Sequence, residues 1–155
     1  MKTLSLIACI ATSLALSRDV SAITFSVVGP CSHESVYSGT FKTDLDESVG
    51  ATSIDIFQTH NIPFKGSDSG MSSILDTPVG DEAIEILSDS KMRAYGWCFS
   101  INGVIPDVLS NEITFTKQND HLNWFFAYST YDQGVWTDYC VPSHKIKAQQ
   151  FCKKP

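Results

Sequence analysis

The residue types able to do chemistry are thinly spread along this chain. Its four histidines, His33, His60, His121 and His144, fall on four separate segments, and no serine, cysteine or carboxylate stands beside one of them in a recognisable nucleophile pattern. Asp120 and His121 are the one adjacent acid and imidazole, but neighbours on a strand point to opposite faces, so the pair reads as a solvated turn. Asp44, Asp46 and Glu47 make an acidic run that lacks the glycine and terminal glutamate of a calcium loop. Cys31 and His33 are close in sequence, yet no second pair matches them as zinc would require. On these grounds we expect no catalytic residue, no metal site and no cofactor.

The cysteines point instead to the compartment. Lys2 is followed by an apolar run over residues 4–16 and then by Val20, Ser21 and Ala22, small residues of the kind a signal peptidase reads. Residues 1–22 are therefore expected to be a signal peptide, taking Cys9 with them. A rival reading takes Leu6 to Cys9 as a lipoprotein cleavage box, but the apolar run continues past Cys9. The four cysteines left, Cys31, Cys98, Cys140 and Cys152, are an even number in an exported chain and read as two disulfides, with three pairings open. We favour Cys98 with Cys140 and Cys31 with Cys152, because the second would pin the polar tail of residues 144–155 onto the first strand. A periplasmic or secreted location follows, in one domain over residues 23–155. The apolar run is too short to span a bilayer, so no membrane insertion is expected. The net charge of -6 disfavours nucleic acid and anionic membranes as partners, since both select a positive footprint.

What the sequence concentrates is aromatic surface. Tyr95, Trp97, Phe99, Trp124, Phe126, Tyr128, Tyr131 and Trp136 all lie in one third of the chain. Flat apolar ligands favour such surfaces, and Tyr and Trp keep a polar handle. Those alternating on strands read first as core. Tyr128, Tyr131 and Trp136, near or past a strand end, are the better ligand-binding candidates, with Trp97 added from the aromatic strand.

The elements that must carry these residues are short. Residues 23–27 alternate strictly and are β-branched, and residues 36–45 continue in the same manner, so the two read as a hairpin. Thr52 followed by Asp55 has capping-box spacing, and Ile54, Ile56 and Phe57 offer an apolar side before Pro63, which predicts one short helix packed on a sheet. Residues 71–75 suit a helical turn or a strand end equally. Residues 83–87 and 113–116 are short strand candidates. Residues 92–101 put Tyr95, Trp97, Phe99 and Ile101 on one face and Gly96, Cys98 and Ser100 on the other, then stop at the turn signal Asn102-Gly103. Residues 122–128 are apolar on both faces, as a central strand is. Residues 128–136 read as a hairpin or loop turning at Asp132-Gln133-Gly134.

The run from Tyr95 to Gly103, followed by Asn119 to Phe126, resembles the C-terminal domain of transcobalamin and the broad bacterial family similar to it. That family repeats an aromatic strand of the form Trp-x-x-x-x-Asn-Gly and a second strand entered through Gly-Asp. Here Trp97 to Gly103 matches the first, and Asn119-Asp120 replaces Gly-Asp in the second. Gly50 to Ile54 is similar to the family's helix start, and Met71 to Leu75 to its short strand. The resemblance spans residues 23–130. It implies an α+β fold, a small mixed β-sheet with one packed helix in the manner of a β-grasp. In transcobalamin the domain closes over a corrinoid held by a separate helical domain, so cobalamin is the ligand the resemblance implies, while the lone-domain members have no agreed activity. The expectation is an exported, non-enzymatic module binding an unknown small molecule or protein partner. The alternatives are a structural envelope protein, or a secreted enzyme or enzyme inhibitor using the same face near His121.

Overall fold

The computed structural model describes residues 20–152. Most of the expected signal peptide lies outside these residues; its last three, Val20, Ser21 and Ala22, are the opening residues of the first strand. Eight strands and one helix follow in the order β1 (Val20–Val28), β2 (Ser35–Asp44), α1 (Val49–Thr59), β3 (Phe64–Ser67), β4 (Gly70–Ile74), β5 (Ile84–Ser88), β6 (Lys91–Ile101), β7 (His121–Asp132) and β8 (Val135–Pro142). The fold is α+β, a mixed six-stranded sheet with a helix against it, as expected.

The sheet runs β2-β1-β7-β6-β5, with β8 also paired to β7. β7 is the axis of this arrangement. It pairs β6 antiparallel along almost its whole length, from Leu122 to Asp132. On its other side its first residues pair parallel with β1, Thr24 to Val28, and its last residues pair antiparallel with β8. Residues 124–127 read Trp-Phe-Phe-Ala because this part of β7 is buried on both faces, Trp124 and Phe126 in the main core and Phe125 and Ala127 in a smaller cluster with Val28 against Cys98 and Cys140.

One face of the sheet is covered. Ile23, Phe25 and Val27 of β1, Tyr95, Trp97 and Phe99 of β6, and Leu122, Trp124 and Phe126 of β7 meet Val49, Ile56 and Phe57 of α1 in the main core. Both buried indoles are tied there by hydrogen bonds. Trp124 Nε1 donates to Ser53 Oγ on the helix at 2.9 Å, and Trp97 Nε1 donates to Thr77 Oγ1 at 2.7 Å. Burying an indole without such a partner would leave its N–H unsatisfied.

The helix starts earlier than its sequence suggests. Its N-cap is Ser48, whose hydroxyl accepts from Ala51 N at 3.1 Å, while Thr52 is fully buried and meets the Thr43 hydroxyl at 3.0 Å. Gly50 sits in the first turn because a Cβ there would lie 1.7 Å from the Asp68 carbonyl oxygen. That crossing is a tertiary demand, invisible to helix propensity. Residues 113–116 form no strand; Thr114 makes one bridge to Ser48, and Ile113 O accepts from Val49 N at 2.9 Å. Of residues 71–75, the first four fall in β4, paired with β3, and Leu75 turns away with a left-handed φ of 60°.

Asp120 is a correction to the sequence reading. Far from a solvated turn, its side chain is fully buried, and its carboxylate accepts from Thr116 N (2.8 Å), Thr116 Oγ1 (3.1 Å), Lys117 N (3.2 Å) and Asn102 Nδ2 (2.8 Å). Asn102 Oδ1 in turn accepts from His121 N at 2.9 Å. The network joins the end of β6 to the start of β7. Burial opposes the charge, but the hydrogen bonds from Asn102, Thr116 and Lys117 outweigh it and hold the carboxyl below its ordinary range.

Candidate binding groove on the open face of the sheet

The second face of the sheet carries no α-helix among the described residues, and its chemistry changes along β7. At the β1 end it is polar: His121 shares hydrogen bonds with Thr24 Oγ1 (2.9 Å) and Ser26 Oγ (3.0 Å). Ser26 Oγ donates to Asn123 Oδ1 at 2.8 Å. Since a hydroxyl has one proton, Ser26 accepts from His121 Nε2–H. The imidazole is thus a donor toward Ser26, and Asp120, its neighbour in sequence, is bonded elsewhere.

Further along, this face becomes small and apolar. Ala94, Gly96 and Cys98 of β6 and Ala127 and Ser129 of β7 form a floor, and Trp136 and Tyr139 of β8 rise beside it around a groove of about 370 Å³. Every lining residue is uncharged. Alternate residues on a strand are roughly 6.7 Å apart, so the floor from Ala94 to Cys98 is roughly 13 Å long. Gly96 is the one glycine in that floor. Its φ lies outside the left-handed region and a Cβ built on it would meet nothing within 4 Å. Neither backbone conformation nor crowding therefore requires glycine there; what its lack of a side chain leaves is space.

The wall of the groove is raised by β8. Adjacent strands lie about 4.8 Å apart, so β6 and β8, on either side of β7, would be about 10 Å apart in a flat sheet. Yet the Cα atoms of Cys98 and Cys140 are 6.0 Å apart and joined by a disulfide. β8 reaches that position by riding over Ala127: its pairing with β7 shifts register between Tyr128 and Thr130, and Asp138 and Cys140 adopt left-handed φ of 52° and 51°. The displaced backbone turns Tyr139 outward to 71 % exposure. Cys31 and Cys152 form the other disulfide, which ties the C-terminal segment to the loop after β1. Phe151 from that segment packs on Tyr95 and Phe126 on the covered face, with ring centres 4.8 and 4.9 Å apart.

The four ligand-binding candidates from the sequence separate in three directions. The Trp97 indole is in the core, so only the strand backbone of that residue borders the groove. Tyr128 is half-buried against the core side, with the Arg93 guanidinium 5.2 Å from its ring centre. Tyr131 and Trp136 are cross-strand partners in a hairpin, one of the two forms the sequence allowed, turning at Gln133 and Gly134, and their rings meet edge-on at 5.2 Å. Trp136 lines the groove and is 39 % exposed. Tyr95, by contrast, donates to Glu85 Oε2 at 2.6 Å, an oxygen that also accepts from Arg93; burial and that carboxylate push its hydroxyl well above the usual tyrosine range. Tyr139 was not singled out by the sequence, because Thr137-Asp138-Tyr139 reads as polar and nothing local announces the bulge.

The acidic run is a local turn in which Asp44 Oδ1 accepts from Asp46 N at 3.0 Å. Among the described residues no group of three or more histidines, cysteines or carboxylates is placed to hold a metal ion, and no helix is long and apolar enough to cross a membrane.

No family model matches the chain, and no curated protein matches it. Among solved structures it is similar to one from Ruminococcus gnavus ATCC 29149 described as a "putative metal binding protein", at 12 % identity and a TM-score of 0.39, covering 68 % of this chain and 95 % of that one.

Proposed function

We propose that this chain is an exported, non-enzymatic binding module that takes an uncharged flat group, from a small molecule or a protein partner, into the groove over Gly96. The observation that carries the reading is a strand glycine that the fold does not need, at the floor of an apolar trough walled by two exposed aromatics. A solvated sheet face of this kind ordinarily presents polar side chains, as the Thr24–Ser26–Asn123 end does. Trp136 and Tyr139 offer stacking surfaces with an N–H and an O–H at their rims, and the Ser129 hydroxyl adds a polar group at the floor.

The same reading takes the fold as β-grasp-like and the chain as a transcobalamin C-terminal-like domain, for which a corrinoid is the implied ligand. A groove of about 370 Å³ is at the small end for ligand sites, so it suits one or two fused rings better than a whole macrocycle. Export is supported by the two disulfides and by the apolar N-terminal run.

The test is thermal shift of the oxidised protein against cyanocobalamin, protoporphyrin, chitooligosaccharides and aromatic dipeptides. One class is expected to raise the melting temperature saturably, and Trp136→Ala and Tyr139→Ala to remove that rise. A shift retained in both variants, or none with any class, would replace this reading with that of a structural envelope protein.

A further inference from the structure

A second cavity, of about 330 Å³, lies on the same open face beyond the Cys98–Cys140 bridge, lined by Val28, Ser100, Asn123 and Phe125 and flanked by His33 and His144. These two histidines are 111 positions apart in sequence, and the covalent frame brings them together. His33 follows Cys31, which is bonded to Cys152. His144 follows Ser143, a buried residue whose hydroxyl donates to Pro30 O at 3.1 Å. Both segments are therefore held at the same end of β1, and the two imidazole ring centres are 6.3 Å apart with their planes at 59°.

We propose that His33 and His144 bind a divalent late transition metal, copper or zinc, between their rings. Two observations point to a ligand there. A metal about 2.1 Å from one nitrogen of each of two imidazoles places their ring centres roughly 5.3 Å apart at a tetrahedral angle and roughly 6.5 Å apart when the nitrogens are opposite one another, so the observed 6.3 Å suits nearly trans nitrogens, as in a square-planar copper site. Independently, Nδ1 of His144 is buried and has no hydrogen-bond partner among the described residues. An enclosed imidazole nitrogen without a partner costs free energy and is where an ion or water belongs.

The surroundings set the chemistry. Lys145 and Lys147 lie within three residues of His144 on the same segment. The same lysines oppose a cation, which puts the affinity in the micromolar class, with copper tighter than zinc. Imidazole donors suit these metals, whereas calcium and magnesium would require oxygen ligands. Cys31 contributes nothing as a ligand because it is oxidised. His33 is exposed, so its ring can adjust by a rotamer change to close the site.

The experiment is calorimetric titration of the untagged, oxidised mature protein with Cu²⁺ and with Zn²⁺, with electron paramagnetic resonance of the copper form. We expect one site of roughly micromolar Kd for Cu²⁺, nitrogen ligation in the spectrum, and at least a tenfold loss in His33→Ala and in His144→Ala. His121→Ala should bind as the parent does. His33→Ala is the safer variant, since that side chain is exposed and its removal leaves the core untouched. No saturable binding below about 1 mM, or unchanged binding in the His33→Ala, His144→Ala double variant, overturns the proposal.

Discussion

Gly96→Val separates a glycine kept for the fold from one that leaves space for a ligand. Glycine in a strand interior costs roughly 0.5–1 kcal/mol relative to alanine through backbone entropy, and valine is better still in a pleated strand. The usual penalty of adding atoms to a packed interior does not apply, because a Cβ at this position meets nothing within 4 Å. We therefore predict that Gly96→Val raises stability by about 1 kcal/mol, or about 3–5 °C in melting temperature for a chain of this size. Urea unfolding of the oxidised protein, with m unchanged, is the assay. The same substitution puts two methyl groups into the groove floor and should remove any ligand-induced stabilisation. A loss of more than about 1 kcal/mol would mean that the fold needs glycine there, and the argument for an open trough would be refuted.

The remaining predictions concern the frame around the groove. Asp120→Ala should cost about 3 kcal/mol, because the groups that now share its carboxylate are left buried without it. Since the folded-state pKa of Asp120 is depressed, its contribution is complete above the unfolded value near 4 and is lost as pH falls through the folded value; Asp120→Asn should flatten the acid limb of a stability–pH curve below about pH 4. Replacing Cys98 and Cys140 together by alanine opens a closure spanning 42 positions, worth about 4 kcal/mol in the chain-entropy model. It should also let β8 settle back toward the plane of the sheet, seen as loss of the ligand response at Trp136.

The parts of this fold that were legible in the sequence are those set by period-two alternation. Tyr95, Trp97 and Phe99 fall on one face and Gly96 and Cys98 on the other whatever the partners are, and residues 124–127 announce a strand covered on both sides. What escaped depends on contacts distant in sequence. The helix begins at Val49 because Ser48 caps it and Gly50 slides under Asp68, while the sequence pattern favoured Thr52. Asp120 reads as a turn residue until Asn102 and the 116–117 backbone are folded around it. At the site, Trp136 was legible as an aromatic near a turn, but Tyr139 depends on a bulge with two left-handed residues. Gly96 becomes informative only once it is known which face of β6 the helix leaves bare, and His33 with His144 only once the chain ends are brought together.

The most direct test of the groove uses the tryptophans themselves. Trp97 and Trp124 are buried, while Trp136 is 39 % exposed and stands in the groove wall. Titrating the oxidised protein with each member of the ligand panel while following tryptophan emission should give, for one class, a saturable blue shift that Trp136→Phe abolishes and Gly96→Val prevents. A shift that survives both substitutions, or emission unmoved by every class in the panel, would contradict the assignment of this face as a binding site.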